Sequence, residues 1–215
     1  MAYIISKWIV LAIYKPWVRK IEGLENIPQD NPFIMAVNHS SYFDVFLPPI
    51  SIVHTLDKKI HALVNSYYWN NFLTRFFLDI WEEIPVYVDK EKNSKQKNKA
   101  AFQKAIYYLK NNELVMIFLE GTRSIDGKLK KAYTGVARLA LAAKVPVLPF
   151  GIIGANKVLP RGKALPRFAR CEVKIGKLIY FNEYNNKKIN KKMLEEATRK
   201  IMREIAKLIG QKYNY

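Results

Sequence analysis

The chain has 215 residues, half of them hydrophobic and a quarter charged, which sets disorder aside and allows one compact domain with a sizeable core. Its net charge of +18 points to polyanionic partners: nucleic acid, anionic lipid or phosphorylated substrates. The single cysteine, Cys171, excludes an intrachain disulfide, and a reducing compartment is the simplest match.

Residues 1–14 are apolar apart from Ser6 and Lys7, and Lys15-Pro16-Trp17-Val18-Arg19-Lys20 follows. That run is shorter than the about 20 residues that a bilayer-spanning helix needs. Pro16, Trp17 and Arg19 stand where a signal peptide would carry small residues. The composition therefore predicts an interfacial helix as a first unit, residues 1–20, with residues 21–215 as the second. Trp8, Tyr14 and Trp17 would sit at headgroup level, and Lys15, Arg19 and Lys20 on lipid phosphates. The competing reading is a helix packed on the domain's own core.

Phe33 to Val37 reads as a strand that delivers Asn38-His39-Ser40-Ser41-Tyr42-Phe43-Asp44. Val45 to Val53 is apolar but broken by Pro48-Pro49, so any helix there is short. Ile60 to Val64 is a second strand. Tyr67 to Trp81 carries seven aromatic residues with helical spacing among its apolar positions, which predicts mostly core rings. Ile84 to Val88 is a third strand, followed by Lys90 and a lysine cluster that runs to Lys99.

Asn98 to Leu109 reads as a helix. Leu114 to Leu119 is an unbroken apolar run, suited to a strand covered on both faces, and it delivers Glu120-Gly121-Thr122-Arg123-Ser124. Ala132 to Ala143 is a helix and Val147 to Ile153 a strand. From Lys157 to Arg170, basic and apolar residues interleave as they would on a surface resting against anionic headgroups. Cys171 to Ile175 alternates as a strand with Cys171 buried, and Leu178 to Phe181 is the last strand. Lys191 to Ile209 is an amphipathic helix. Strands alternating with helices predict an α/β fold with a largely parallel central sheet flanked by helices.

The two polar tracts each follow a buried strand, at the rim where open α/β folds place their ligands. A histidine with a carboxylate five positions on is a candidate base with its orienting partner. A turn ending in arginine offers a guanidinium for a phosphate. The bland alternatives are a satisfied loop histidine for His39 and a helix N-cap for Asp44. For Glu120 the alternative is an ion pair with Arg123 or another base that fixes the turn, and for Lys90 a surface lysine. His54 and His61 stand in no comparable setting and read as structural. No H-x3-H or C-x2-C spacing builds a closed metal site, and no nucleic-acid module is visible.

Together the tracts resemble the glycerolipid acyltransferase family, whose hallmark is N-H-x4-D followed by E-G-T-R-S. Ile84-Pro85-Val86-Tyr87-Val88-Asp89-Lys90 resembles its third block, with Lys90 where arginine is usual. Val145 to Ile152 resembles its fourth, and the resemblance runs from about Ile21 to Tyr180. It implies that residues 21–215 are an acyltransferase domain. The domain would move a fatty acyl group from acyl-CoA or acyl carrier protein to the 2-hydroxyl of 1-acylglycerol 3-phosphate, making phosphatidic acid. His39 would be the base and Asp44 its partner. Lys90, Glu120, Gly121, Thr122 and Arg123 would hold the glycerol-phosphate acceptor.

The acceptor's own hydroxyl would be the nucleophile, so Ser40 and Ser41 carry no acyl group. N–H groups at the start of a helix beyond Val45 would receive the oxyanion. Part of the Tyr67 to Trp81 face would shape an acyl-chain groove. Neither a metal nor a cofactor beyond the acyl donor is expected. The expected partners are lysophosphatidic acid, the acyl donor and an anionic membrane surface, with no nucleic acid. The expected place is the cytoplasmic face of the cell membrane, in peripheral or monotopic contact. The alternatives are another lysophospholipid acceptor, or a basic protein that binds anionic surfaces without catalysis.

Overall fold

The computed structural model describes all residues except 1–7, 10, 11, 54, 57, 89–91, 161, 164 and 186, and the side chain at 53. The start of the expected N-terminal helix, His54, Lys90 and Arg161 therefore lie outside the described residues. Among the described residues, seven strands form one sheet: β1 (Val18–Glu22), β2 (Ile34–Val37), β3 (Ile60–Asn65), β4 (Ile84–Val86), β5 (Leu114–Phe118), β6 (Val147–Ile153) and β7 (Cys171–Ile175). Their spatial order is β1-β7-β6-β2-β5-β3-β4. Every pairing is parallel except that of β6 with β7. The expected α/β fold with a largely parallel sheet is thus the observed one.

β2 lies at the centre, between β5 and β6, and all four of its side chains are completely buried. Its unbroken apolar sequence follows from cover on both faces. Ile34 and Ala36 join Val115 and Ile117 in one core, closed by α3 (Ser94–Lys110), α4 (Gly135–Ala143) and α6 (Lys191–Ile209), with the single turn α5 (Ala155–Val158) on the other face. Met35 and Val37 join Leu114 and Met116 in the other, which receives Leu47 and Ile52 of α1 (Leu47–Val53). The period of two along each strand divides the cores between the two faces. α6 is capped by Asn190, whose side chain accepts from the Met193 N–H, and it lies close against β6. A Cβ at Gly151 would stand 2.7 Å from that of Leu208, so glycine there permits the approach.

Four expectations are corrected. Val18 to Lys20, assigned to the interfacial helix, belong to β1, which pairs with β7. Tyr14 and Trp17, expected at headgroup level, pack on the domain. The Tyr14 ring stacks on Phe46 with centroids 4.2 Å apart, and Trp17 Nε1 donates to the Arg167 carbonyl at 3.2 Å. The rings of the aromatic segment are not core. α2 (Phe72–Ile80) buries no residue, and Phe72, Leu73, Phe76 and Phe77 are more than half exposed. Leu178 to Phe181 contributes one bridge, Ile179 to Val147, rather than a strand. Element ends shift slightly: α4 starts at Gly135 instead of Ala132, and α3 extends back to Ser94.

Candidate active site

The two tracts meet at the C-terminal edge of the sheet, because β2 and β5 are adjacent and parallel. His39 leaves β2 two residues after Val37, and Glu120 leaves β5 two residues after Phe118. The chain after His39 turns at once into a 3₁₀ turn, Tyr42–Val45. Ser41 starts that turn, its hydroxyl oxygen accepting the Phe43 N–H at 3.0 Å and its hydroxyl donating to the Leu159 carbonyl at 2.7 Å. This folds Asp44 back under His39.

Asp44 is fully buried and its Oδ2 takes three donors: His39 Nδ1 at 3.0 Å, the Ser40 N–H at 2.5 Å and the Ser41 N–H at 2.7 Å. The capping and orienting roles weighed for Asp44 are therefore performed by one oxygen. The His39 ring lies against Phe118, centroids 4.0 Å apart and planes 20° from parallel. With Nδ1 committed and the side chain 15% exposed, Nε2 is the ring atom left for a substrate. A carboxylate on one imidazole nitrogen fixes the tautomer that makes the other a base.

Glu120 does not pair with Arg123. It is 3% exposed and bridges two backbones, accepting the His39 N–H at 3.0 Å and the Lys130 N–H at 2.7 Å. Burial lifts its carboxyl above the ordinary range, and those two N–H donors pull in the other direction. Gly121 has φ +64, and a Cβ there would meet the Tyr133 ring at 2.9 Å, so the turn requires glycine. Thr122 is exposed, and its hydroxyl accepts from Lys130 Nζ at 3.3 Å.

The Arg123 guanidinium lies over the Tyr42 ring, with Cζ 3.4 Å from the centroid. Its Nη1 is buried and has no hydrogen-bond partner among the described residues. A buried guanidinium nitrogen left unpaired is costly unless an anion takes it. His39, Asp44, Gly121, Thr122 and Arg123 are thus brought to one rim, with Glu120 beneath as their brace.

Several of the expected helix N–H groups are missing or already bonded at the start of α1. Pro48 and Pro49 carry none, and the Asp44 and Phe46 N–H groups bond the Ser41 and Phe43 carbonyls. Three contributors were missed by sequence reasoning. Asn38 clamps the end of β2 to β6, its amide giving to the Ile152 carbonyl at 3.0 Å and taking the Ile152 N–H at 2.7 Å. The Ser124 N–H donates to the His39 carbonyl at 2.7 Å. Lys130 Nζ also holds the Arg123 carbonyl at 3.0 Å. Asn38 and Ser124 sit inside the quoted tracts and were in view. Lys130 lies among other lysines with nothing to single it out.

Residues 18–153 match the family model described as Acyltransferase. The chain is 27% identical over 164 residues to the chloroplastic 1-acyl-sn-glycerol-3-phosphate acyltransferase of Brassica napus, covering 74% of this chain and 44% of that protein. It is 30% identical over 145 residues to the 1-acyl-sn-glycerol-3-phosphate acyltransferase of Bacillus subtilis, covering 67% of this chain and 68% of that one. The chain spans less than half the length of the plant relatives it matches. Among solved structures it shares its fold with the 1-acyl-sn-glycerophosphate (LPA) acyltransferase, PlsC, of Thermotoga maritima. That superposition has a TM-score of 0.70 at 21% identity and covers 97% of this chain and 81% of the other.

Proposed function

The chain belongs to the acyltransferase family, and from that premise we propose that it transfers a fatty acyl group from acyl-CoA or acyl carrier protein to the 2-hydroxyl of 1-acylglycerol 3-phosphate, giving phosphatidic acid. One observation carries the reading. A histidine held by a buried carboxylate shares its rim with an arginine that has a buried, unpaired nitrogen. The first suits a hydroxyl and the second a phosphate, and this acceptor has both.

In the proposed step His39 Nε2 takes the acceptor's hydroxyl proton as the oxygen attacks the thioester carbonyl carbon. Asp44 keeps the ring in its tautomer and stabilises the imidazolium. Collapse of the tetrahedral intermediate breaks the C–S bond, and the imidazolium returns the proton to the departing thiolate. The protein need not carry the acyl group, and the Ser41 hydroxyl is already committed to Leu159. The thioester is the activated group, so the proposal invokes no resident cofactor. Arg123 receives the phosphate, assisted by Lys90 of the third block.

The same proposal places the protein at the cytoplasmic face of a membrane, bound peripherally. No described helix is long and apolar enough to cross a bilayer. The support is α2, whose Phe72, Leu73, Phe76 and Phe77 side chains are more than half exposed, and the Leu159 to Arg170 stretch, where Leu165 and Phe168 stand out among basic residues.

The test is purified protein with 1-acylglycerol 3-phosphate and a panel of acyl-CoA and acyl carrier protein thioesters, followed by thiol release and product mass. Phosphatidic acid with at least one donor is expected. No thiol release from any donor overturns the reading, and release only with a different lysophospholipid moves the acceptor.

A further inference from the structure

Arg123 has no carboxylate against its guanidinium among the described residues; it has an aromatic ring. This difference matters for a group that must receive a phosphate. A carboxylate would hold the guanidinium by using its N–H donors and cancelling its charge. A ring face attracts the cation while leaving the in-plane donors unused. Tyr42 therefore supplies orientation without competing for the ligand.

The Tyr42 ring is itself fixed. Its neighbour Phe43 is buried in the core, 3% exposed, so the 3₁₀ turn is anchored with Tyr42 facing outward. The Tyr68 ring meets it edge-on, centroids 6.5 Å apart and planes at 86°, with the two hydroxyl oxygens 3.3 Å apart. Burial and the hydrogen bond to Tyr42 raise the Tyr68 hydroxyl to about 12, so Tyr68 stays neutral beside the guanidinium. Tyr42 also lies within the span from His39 to Asp44. One short turn thus carries both the carboxylate that orients the base and the platform that orients the arginine.

We infer that Tyr42 is a positioning residue for the acceptor's phosphate: its ring sets the plane of the Arg123 guanidinium so that the buried Nη1 and its neighbours meet the phosphate oxygens preorganised. The inference rests on the reading that Arg123 receives that phosphate. Preorganisation of this kind lowers the ordering cost on binding and shows in affinity rather than in the chemical step.

The experiment measures kcat and KM for 1-acylglycerol 3-phosphate and for acyl-CoA in Tyr42→Leu, Tyr42→Phe, Arg123→Ala and the double variant Tyr42→Leu/Arg123→Ala. Tyr42→Leu is expected to raise the acceptor KM about fivefold to tenfold, the scale of a partly desolvated cation–π contact, with kcat and the donor KM unchanged. Tyr42→Phe keeps the ring and should stay close to wild type. The double variant should be no worse than Arg123→Ala, because the ring acts only through the arginine. An unchanged acceptor KM in Tyr42→Leu overturns the inference, as do additive effects or a loss confined to kcat. Should Tyr42→Leu fail to fold, Tyr42→Met removes the ring with an unbranched side chain and is judged on the same outcomes. If Arg123→Ala itself leaves the acceptor KM unchanged, the phosphate reading fails. If only the Tyr42 variants leave it unchanged, the positioning role fails alone.

Discussion

Glu120 grips His39 by the backbone rather than by the ring, its Oε1 accepting the His39 N–H at 3.0 Å. Its other oxygen holds the Lys130 N–H, so one buried carboxylate ties the strand end that carries the base to the loop that carries the arginine. The acid of the second tract is a brace between the two halves of the site.

Glu120→Gln replaces an acceptor-only group by one that has a single acceptor oxygen, against two N–H donors. One buried donor is then unpaired, at a cost of about 1–3 kcal/mol. Urea unfolding should register that loss, with a fall in kcat as His39 shifts. Full stability together with full turnover would show that the bridge is unimportant.

His39→Ala should lower kcat by a factor on the order of 10² to 10⁴, the worth of a positioned general base, while leaving the thermal midpoint close to wild type. Asp44→Asn can still accept from Ser40, Ser41 and Nδ1–H through one oxygen, but it brings no negative charge to an imidazolium. Its kcat should drop with the acceptor KM unchanged. A variant that bound acceptor poorly and turned over normally at saturation would make Asp44 a binding residue.

Glu83, near the β3–β4 edge, is buried and accepts the Ala62 N–H through Oε2. Burial holds its carboxyl well above the ordinary 4.5, while the Ala62 N–H and Lys104 pull it down. A raised folded value means stability that is fully present below 4.5 and is lost as pH rises through the folded value. Glu83→Gln keeps an acceptor for Ala62 and cannot ionise. Melting curves of the two proteins should coincide in acid and separate towards neutral pH, with the glutamine variant the more stable. Parallel curves at every pH would contradict this.

Phe72→Ser with Phe76→Ser removes two exposed rings from α2, each worth about 1.5–3 kcal/mol if buried in an apolar phase. Sedimentation with phosphatidylglycerol vesicles should weaken. The thermal midpoint and the activity on a short-chain, water-soluble acceptor should hold, since neither ring is buried in the fold. Undiminished sedimentation would move the anchor to the Leu159 to Arg170 stretch or the N-terminal segment.

The pairing of His39 with Asp44 was legible because a five-residue spacing across a tight turn leaves few other arrangements for a histidine and a carboxylate. Arg123 was legible as a candidate for holding an anion, but its stacking on Tyr42 was not, since nothing local says which ring from another tract will lie beneath it. The inward turn of Glu120 was not legible, because a carboxylate close to an arginine in sequence does not reveal that it bonds backbone. Helical spacing of Phe72, Phe76 and Phe77 is the same whether protein or something else covers them, so α2 read as core. Val18-Arg19-Lys20 carries charge that suits a lipid surface and equally an edge strand, and only its partner β7 decides between them.

β2 has a consequence for the order in which this molecule assembles. Its partners are β5 and β6, which begin at Leu114 and Val147, and β3, the next strand along the chain, is not adjacent to it. During synthesis the strand that carries His39 therefore waits, wholly apolar and unpaired, until the chain has emerged as far as β5. Such non-local pairing is slow to form, and an exposed apolar strand is prone to aggregate meanwhile. His39 cannot be positioned early by any local hairpin: it finds Glu120 only when β5 has paired with β2, and Asn38 finds Ile152 only when β6 has. The clamp at the end of β2 is among the last things this chain acquires, and a chain cut before β6 would lack it altogether.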